Sequence, residues 1–522
     1  MKILTAQEMR HVEALTDAAG TSYAQMMENA GSSVAQEITK RLTVQGRTIL
    51  VLVGPGNNGG DGLVAARYLH DVHANVYVYL WRSRADDDNN MRLVRERGIT
   101  VLQADADAGL AALADLAQRA DIIIDALLGT GIARPIEGVM KAMLNTVRAI
   151  VSMRGENRPL IVAVDLPSGL NSDTGGIDPA ALYADLTVTF AFPKRGLFLF
   201  PGAAYAGDVV VADIGIPRQL ARDVALDLAE PDIVARLLPT RPRDAHKGTF
   251  GKLLVIAGCV NYTGAAYLAC TAAYRVGAGL VTLAVARSIH PILAAKTTEV
   301  TFLPLPEAEP GYLSADSLPI VLDAVPRYDA LLIGCGLGTH PQTRQIVLDL
   351  VGQMKKVSRL PMIIDADGLN ALASVADWWS ATPDSAVLTP HPGEMARLSG
   401  LSMEQIAADR IGITMQHATA WAKVVLLKGA YTVIAAPSGV ATINPFANPA
   451  LATAGTGDVL AGTIAGLLTQ GVPPYAAAVA GAYLHASAAQ IVTENIGDAG
   501  MVASDLLPAL PHAIRRLRRG EE

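Results

Sequence analysis

The sequence is poor in cysteine, in aromatic residues and in charge. It contains three cysteines among 522 residues, with 5% aromatic and 17% charged residues. Cys259, Cys270 and Cys335 form no CxxC pair and no even-numbered framework, so we expect small buried thiols in a reduced compartment. Hydrophobic residues make up 51% of the chain, which excludes a disordered protein and indicates well-filled interiors.

Long hydrophobic runs and a basic surplus are also missing. A membrane-spanning helix needs about 20 apolar residues, whereas the most apolar stretch, 459–468, is a short run between Asp458 and Pro473. The opening MKILTAQEMRHVEAL lacks the order of a signal peptide, so we expect a soluble, cytoplasmic protein. The net charge of −7 argues against nucleic-acid binding, and the basic tail 515–519 is interpreted as a solvated helix end.

The length predicts at least two domains, because a single core rarely grows to this size. Continuous apolar strand-like runs alternate with helical stretches from 48 to 217, and the same rhythm restarts at 252. Such runs are typical of strands covered by helices on both faces. The sequence therefore predicts two doubly wound α/β domains, each a three-layer αβα arrangement, over residues 1–225 and 226–522.

A glycine-rich turn follows the first strand-like run. TILVLVG leads directly into GPGNNGGDGLVAARYL, so backbone N–H groups should lie at the positive end of a helix, where phosphate binds well. The turn is neither a G-x-G-x-x-G fingerprint nor a lysine-containing P-loop. A plain tight turn would explain its glycines, but it would not explain the polar cluster Asn57, Asn58 and Asp61.

Two further strand ends carry polar side chains. Asp125 precedes the turn Gly129-Thr130-Gly131, and Asp165 and Ser168 follow another strand. Ligands of open α/β sheets bind outside the carboxyl ends of the strands, so these loops should converge. Their oxygens could coordinate a monovalent or divalent cation, or they could cap helices.

Motifs of the first half resemble the NAD(P)H-hydrate epimerase (YjeF N-terminal) family. MMENAG, NNGGDG, DALLGTGIARPI, VDLPSGLNSDTG and TFAFPKRGLFLFPG occur in family order over about residues 1–225. The resemblance implies a Rossmann-like domain, potassium ligands at Asn58, Asp125 and Ser168, and hydrate contacts at Asp165. It also implies hydrate contacts at two loops, made of Asn57, Asn58, Gly59, Gly60, Asp61 and of Gly129, Thr130, Gly131, Ile132, Ala133, Arg134, Pro135.

The chemistry that the epimerase family performs is modest. The hydrate carries a hydroxyl at C6 of the reduced nicotinamide ring, and its R and S forms must interconvert. A carboxylate acting as general acid or base, beside a planar iminium-like intermediate, would suffice. Asp165 is the candidate for this role.

The strongest single signal in the second half is NPALATAGTGDVLAGTIAGLL, 448–468. Its glycines open an apolar helix whose N–H groups could hold a transferring phosphoryl group. Asp458 would then lie within reach of a hydroxyl nucleophile and could accept its proton. The alternative is that Asp458 only stabilises the helix dipole.

The second half resembles ribokinase-like proteins, and within them the ADP- or ATP-dependent NAD(P)H-hydrate dehydratase family. HKGTFGKLLVIAG, GCGLG, IIDADGLNAL, TPHPGEMARL and LLKGAYTVI match in order over about 240–510. The resemblance implies phosphorylation of the C6 hydroxyl by ADP, with AMP and phosphate released and Mg²⁺ held by phosphate oxygens and water. It implies hydrate contacts at Ala266, Gly338, His391 and Asp458, and nucleotide contacts at Lys428, Gly429, Ala430, Tyr431, Thr432 and Gly457.

Three small departures from the dehydratase motifs lie beside the site positions: Cys259, Cys335 and Ala447. We expect changed loop stiffness there and retained activity. A small-molecule kinase of thiamine precursors would share the GTGD chemistry but would not explain the first half, and a non-catalytic scaffold, as in RNA-decapping proteins, remains the alternative for that half. We expect a homo-oligomer that acts on hydrated NADH and NADPH, without nucleic-acid or membrane partners.

Overall fold

The computed structural model describes residues 1–85, 87–131, 134–357 and 360–521. The chain divides into two compact units, Met1–Val224 and Ala225–Glu522. Each unit is an α/β structure built around its own, mainly parallel sheet.

The first unit is built on a seven-stranded sheet in the order β3-β2-β1-β4-β5-β6-β7, with every neighbouring pair parallel. Helices connect the first five strands as crossovers. The strands are β1 (Thr48–Val53), β2 (Asn75–Leu80), β3 (Thr100–Gln103), β4 (Ile122–Ala126), β5 (Leu160–Val164), β6 (Leu186–Phe190) and β7 (Asp208–Ala212), and the helices are α1 (Ala6–Ala18), α2 (Tyr23–Arg41), α3 (Asn57–Asp71), α4 (Asn89–Glu96), α5 (Ala111–Arg119) and α6 (Gly138–Met153).

The central strands of this sheet are buried on both faces. Ile49 and Val51 of β1 pack on one side with residues of α2 and α3, and Leu50 and Leu52 pack on the other side with residues of α5 and α6. Alternate side chains of a strand point to opposite faces, so a continuous apolar run is what a sheet covered on both sides requires. The three-layer arrangement predicted for the first domain is confirmed.

The second unit is built on a ten-stranded sheet in the order β11-β10-β9-β14-β15-β16-β17-β18-β19-β8. It is parallel except where β18 pairs antiparallel with β17 and β19. Its strands are β8 (Leu226–Leu228), β9 (Lys252–Ile256), β10 (Leu280–Ala286), β11 (Thr301–Leu305), β14 (Ala330–Ile333), β15 (Met362–Ile364), β16 (Ala386–Leu388), β17 (Val424–Leu427), β18 (Val433–Ala435) and β19 (Ala441–Ile443), and β12 (Glu307–Glu309) and β13 (Tyr312–Leu313) form a separate hairpin.

Thirteen α-helices of the described residues belong to the second unit. They are α7 (Pro231–Leu237), α8 (Thr263–Arg275), α9 (His290–Lys296), α10 (Ser317–Ala324), α11 (Pro341–Val357), α12 (Asp367–Leu372), α13 (Trp378–Ala381), α14 (Pro392–Ser399), α15 (Met403–Ala408), α16 (Arg410–Trp421), α17 (Thr456–Thr469), α18 (Pro474–Ile496) and α19 (Leu506–Arg519).

The apolar helix predicted after the GTGD motif is α17, and it is buried along most of its length. The α/β fold predicted for the second domain is thus confirmed. All three cysteines are free and buried, as expected. Among the described residues, no helix combines the length and the apolar character needed to cross a bilayer.

Candidate active sites

The glycine-rich turn of the first unit connects β1 to α3, which begins at Asn57. Gly59 packs against the turn so closely that a Cβ there would lie 2.0 Å from the Gly54 carbonyl oxygen. The Arg84 guanidinium donates to the carbonyl oxygens of Gly54 at 2.5 Å and Gly56 at 3.0 Å. Sequence reasoning missed Arg84, which holds this turn in place from outside the motif.

A cavity of about 680 Å³ opens beside this turn. It brings together predicted residues from three strand ends, namely Asn57, Asn58, Asp61, Gly129, Thr130, Gly131 and Asp165. Gly59 and Gly60 lie buried in α3, and Arg134 and Pro135 do not line the cavity. Ile132 and Ala133 lie outside the described residues. Side chains that sequence reasoning missed also line it, among them Arg10, Glu13, Tyr23, Met27 and Lys194.

Asp165 follows β5 with a positive φ of 64°, a conformation that non-glycine residues seldom adopt and that is often found at functional sites. Its Oδ1 accepts hydrogen bonds from Lys194 Nζ and, at 3.0 Å, from Thr189 Oγ1. The Lys194 ammonium also donates to Thr189 Oγ1 at 3.1 Å and to the Phe190 carbonyl at 3.2 Å. With its side chain only 1% exposed, Lys194 forms a buried ion pair with Asp165.

Two more carboxyl groups face the same cavity. Burial raises the pKa of Asp61 well above its usual value, and the charges of Asp165 and Glu13 raise it further. Burial likewise raises the pKa of Glu13, while Lys194 opposes that shift. The cavity therefore holds three carboxyl groups around one buried lysine, an arrangement suited to proton transfer.

Asp125 and Ser168 lie at adjacent strand ends and contact each other directly. Ser168 donates to Asp125 from its hydroxyl at 2.6 Å and from its backbone N–H at 2.8 Å. Asn58 donates to the Leu128 carbonyl at 2.9 Å, and the Leu128 N–H donates to Ser168 Oγ at 2.9 Å. The three residues predicted as potassium ligands thus form one cluster with a backbone carbonyl.

Burial raises the pKa of Asp125, and only neutral groups, Ser168 and Leu127, bond to its carboxylate. No Lys or Arg pairs with it in the described part of the chain. A buried carboxylate among neutral oxygens fits a weakly charged cation, because an unpaired buried charge is costly.

In the second unit, α17 begins after Gly455, which adopts a φ of 91° that favours glycine. The Thr456 hydroxyl turns back to the Leu451 and Thr453 carbonyls at 2.9 Å, away from the helix N-terminus. His485 Nε2 lies 2.9 Å from the Thr456 carbonyl oxygen, and burial lowers the pKa of His485 to about 4. The GTG segment is thus anchored from inside the unit, and its two glycines, Gly455 and Gly457, are half-buried at the start of the helix.

Asp458 lies in the first turn of α17 with ionisable neighbours from two other strand ends. Its carboxylate, the Cys335 sulfur and the Asp365 carboxylate lie within 4.8 Å of one another. Burial and the charge of Asp365 raise the pKa of Asp458 to about 7. A carboxylate that titrates near neutrality is what a general base requires, whereas a residue that only stabilises a helix dipole needs no such shift.

Lys428 pairs with Asp365 at 2.8 Å and approaches Glu394 at 3.6 Å. Burial opposes its charge, but these two carboxylates raise the pKa of Lys428. Its ammonium lies 3.6 Å from the position that a Cβ on Gly457 would occupy, so the predicted nucleotide residues Lys428 and Gly457 are adjacent.

The rest of the KGAYT segment forms a tight loop. The Tyr431 N–H donates to the Phe446 carbonyl at 2.9 Å, and Thr432 Oγ1 donates to the Gly429 carbonyl at 2.8 Å. Arg410 donates to the Lys428 carbonyl at 3.1 Å and would lie 2.8 Å from a Cβ on Gly429. Arg410 carries no motif signal, and sequence reasoning missed it.

Asp458 also lines a cavity of about 320 Å³ together with Gly338, Ala265, Tyr312 and Asp367. The Gly338 N–H donates to Asp367 at 2.8 Å. Ala266, predicted from the motif, is fully buried, and its neighbour Ala265 lines the cavity. His391 lies outside the lining, with its side chain half exposed at the start of α14; partial burial and the charge of Lys428 lower its pKa.

Two family profiles match the chain in the same order as the two units. One, described as YjeF-related protein N-terminus, matches residues 23–196, and the other, described as NAD(P)H-hydrate dehydratase, matches residues 253–512.

Relatives match over the whole length. The chain is 42% identical to a bifunctional NAD(P)H-hydrate repair enzyme of Moorella thermoacetica, over 100% of this chain and 98% of the relative. It is 38% identical to one of Thermofilum pendens, over 95% and 93% of the two chains. Among solved structures, it is similar to the ADP/ATP-dependent NAD(P)H-hydrate dehydratase of Bacillus subtilis co-crystallised with ATP and Mg²⁺, at 32% identity and a TM-score of 0.49, covering 56% of this chain and 98% of that one.

A thiamine-precursor kinase would leave the first unit without a match, whereas these relatives span both units. The order of the two profiles and the identity over the full length lead to one assignment: the chain belongs to the family of bifunctional NAD(P)H-hydrate repair enzymes.

Proposed function

We propose that the two units perform successive steps in the repair of hydrated NADH and NADPH. The first unit interconverts the R and S hydrates, and the second dehydrates the S form with ADP as phosphoryl donor. The observation that carries the proposal is that each unit has its own cavity at the carboxyl ends of parallel strands, with a carboxyl group of raised pKa in its wall. Two separate acid–base sites in one chain suit two separate reactions.

In the first unit, the hydrate lies in the cavity lined by Asn57, Asp61, Gly129, Thr130 and Asp165. Asp165 exchanges a proton with the C6 hydroxyl. The resemblance also implies hydrate contacts at residues 59–60 and 131–135, of which Gly131 lines the cavity and 132–133 lie outside the described residues.

Potassium is the cation that best fits the cluster of Asn58, Asp125 and Ser168. The cluster offers one buried carboxylate and neutral oxygens, and magnesium prefers more anionic ligands in strict octahedral geometry. When bound, the ion would neutralise Asp125 and stabilise the two loops that follow β4 and β5.

In the second unit, Asp458 accepts the proton of the C6 hydroxyl as its oxygen attacks the β-phosphorus of ADP, and AMP leaves. The C6–O bond then breaks, phosphate leaves with the bonding electrons, and a proton is lost from C5. Phosphate is a far better leaving group than hydroxide, which explains why a dehydration uses a kinase-like fold.

Nucleotide binding falls to Lys428, Gly429, Ala430, Tyr431, Thr432 and Gly457. Hydrate binding falls to Asp458, Gly338, His391 and the segment around Ala266. Lys428 is already paired with Asp365, and a thiol lies next to Asp458. Magnesium would therefore be held by phosphate oxygens and water, where it offsets their charge.

The test uses purified full-length protein with the R- and S-hydrates of NADH and of NADPH, with and without ADP. We expect R-to-S conversion without nucleotide, and one AMP per NADH restored when ADP is present, measured by chromatography. If the protein consumes only the S form, the first unit has no epimerase activity. Reaction with ATP but not ADP would correct the phosphoryl donor.

A further inference from the structure

The epimerase cavity of the first unit contains an acidic side chain without a partner. Asp61 follows the first turn of α3, is 8% exposed and lines the cavity. In the part of the chain that the structure describes, its carboxyl group makes no hydrogen bond and no ion pair. A buried carboxyl group with no partner in the protein is free to bond to a ligand in the cavity.

Asp165 lines the same cavity in the opposite situation. Its Oδ1 accepts from Lys194 and from Thr189 Oγ1, and the Phe190 N–H approaches the same atom at 3.4 Å. These contacts fix the position of the Asp165 carboxyl group in the cavity wall. The buried Lys194 bonds to Asp165, Thr189 and Phe190, and none of its hydrogen bonds reaches Asp61.

From this geometry we infer that Asp61 is the proton donor and Asp165 the proton acceptor of the epimerase, and that Lys194 is the positioning residue that gives them these different roles. The inference rests on the proposed epimerase function of the first unit. It assigns Asp61 to the reaction itself, beyond a substrate contact, and gives Lys194 a role that no motif had assigned.

The electrostatics of the cavity agree with this division. Burial raises the pKa of Asp61, the charges of Asp165 and Glu13 raise it further, and Lys194 and Arg84 oppose the shift. A carboxyl group with a raised pKa and no partner in the protein suits a proton donor, whereas the carboxyl group bonded to Lys194 suits a proton acceptor.

The reaction balances with water as the only co-reactant. Asp61 gives its proton to the C6 hydroxyl, the C6–O bond breaks as water leaves, and the ring-nitrogen electron pair forms the N1=C6 iminium bond. Water adds to the other face of C6 and forms a new C6–O bond, the iminium electrons return to nitrogen, and Asp165 takes the proton. The reverse reaction starts with the proton on Asp165, and exchange with solvent resets the pair.

Four full-length variants test the assignment by epimerase kcat/KM over a pH series. Asp61→Asn should reduce the rate by on the order of 10²–10⁴ and abolish the fall at alkaline pH that ionisation of the acid causes. Glu13→Gln is the matched control, since Glu13 lines the same cavity but is only half-buried; its loss should be much smaller. An Asp61→Asn rate near wild type, or an equal loss in Glu13→Gln, would overturn the assignment of Asp61.

Lys194→Met and Lys194→Arg isolate the positioning role. Lys194 is one of the charges that lower the pKa of Asp61. Lys194→Met should therefore move the alkaline fall to higher pH, whereas Lys194→Arg keeps the charge and should leave it in place. Identical profiles in the two variants would refute the role of Lys194. Circular dichroism, thermal melting and the dehydratase rate of each variant identify a chain that has failed to fold.

Labelled water tests the bond that breaks. Wild-type epimerisation in H₂¹⁸O, corrected for the spontaneous reaction, should place one ¹⁸O at C6 of each converted molecule. Retention of the original oxygen would mean that the ring C–N bond opens instead. The roles proposed for Asp61 as proton donor and Asp165 as proton acceptor would then be wrong. If the wild-type protein does not interconvert the hydrates at all, the proposed epimerase function is refuted. This result differs from the variant and isotope results above, which would refute only the proton roles.

Discussion

Each of the two sites contains a lysine and several carboxyl groups, but the lysine pairs with a different kind of carboxylate in each. In the first unit, Lys194 pairs directly with Asp165, the proposed base. In the second unit, Lys428 pairs with Asp365. Asp458 lies beside the Asp365 carboxylate and the Cys335 thiol, and the pKa of Asp458 is raised to about 7. The difference lies in the partner of the lysine: it is the proposed base in the first unit and a neighbour of the proposed base in the second.

The largest expected effect is the loss of dehydration in Asp458→Asn. The substitution removes the only proposed base of the second unit, and losing one general base costs on the order of 10²–10⁴ in rate. Phosphate release with S-hydrate and ADP measures it.

Epimerisation by the same Asp458→Asn chain is the control. It should be unchanged, because Asp165 and Lys194 lie in the other unit. Near-normal turnover of the S-hydrate would leave Asp458 as a helix-dipole residue, and a loss of both activities would mean that the units do not work independently.

The next effect concerns potassium. Asp125→Ala should abolish potassium-stimulated epimerisation while the chain stays folded, since losing one charged ligand contact costs about 2 kcal/mol, or roughly 30-fold in ion affinity. R-to-S conversion is followed in potassium-free buffer with potassium, sodium or magnesium added back. Equal rates in all four conditions would leave the cluster as a loop cap, and the metal assignment would then be withdrawn.

The strand ends explain why much of the first site could be predicted from sequence. In a parallel doubly wound sheet, residues that follow neighbouring strands meet at one edge. Asp125 lies near the carboxyl end of β4, Asp165 and Ser168 follow β5, and these two strands pair in the structure. The order of the strands along the chain was therefore sufficient to predict that the polar loops converge.

Lys194, Glu13 and Arg84 could not be predicted in the same way. Lysine is usually exposed, so nothing in the chain order indicates that Lys194 turns into the interior. Glu13 lies on an amphipathic helix, where a charged residue ordinarily faces solvent. The segment FPKRG after β6, which contains Lys194, belongs to a family motif. Only the folded structure shows that this lysine pairs with Asp165.

The edge of the second sheet was also missed. The strand-like runs recognised in the sequence stop at 217 and restart at 252, yet β8 (Leu226–Leu228) pairs in parallel with β19 (Ala441–Ile443). Three residues are too short for a periodic signal, and their pairing depends on a strand far along the chain.

A third effect follows from the pKa of about 7 at Asp458. A base must be ionised to accept a proton, so dehydratase kcat/KM should rise about tenfold per pH unit below that pKa and level off above it. The epimerase assay of the same samples shows whether the fall at low pH belongs to the second unit. A dehydratase profile that stays flat well below neutrality would contradict the proposed base.

The smallest expected effect compares two helix caps of the same kind. Thr5 caps α1, which carries Arg10 and Glu13 over the epimerase cavity, and Ser402 caps α15 in the second unit. In each, the hydroxyl accepts a backbone N–H at 3.2 Å, from Glu8 and from Gln405, so each alanine variant should lose about 1 kcal/mol of stability.

The two caps should differ in their effect on catalysis. Thr5→Ala frays the helix that covers the first cavity, so epimerase KM should rise by up to about fivefold, which corresponds to 1 kcal/mol, with kcat nearly unchanged. Ser402→Ala should alter neither activity, because α15 contributes no residue to either cavity lining. Thermal melting of both variants checks that the stability losses match. If Ser402→Ala raises epimerase KM as much as Thr5→Ala does, the rise comes from general destabilisation of the protein. In that case α1 has no specific part in holding the substrate.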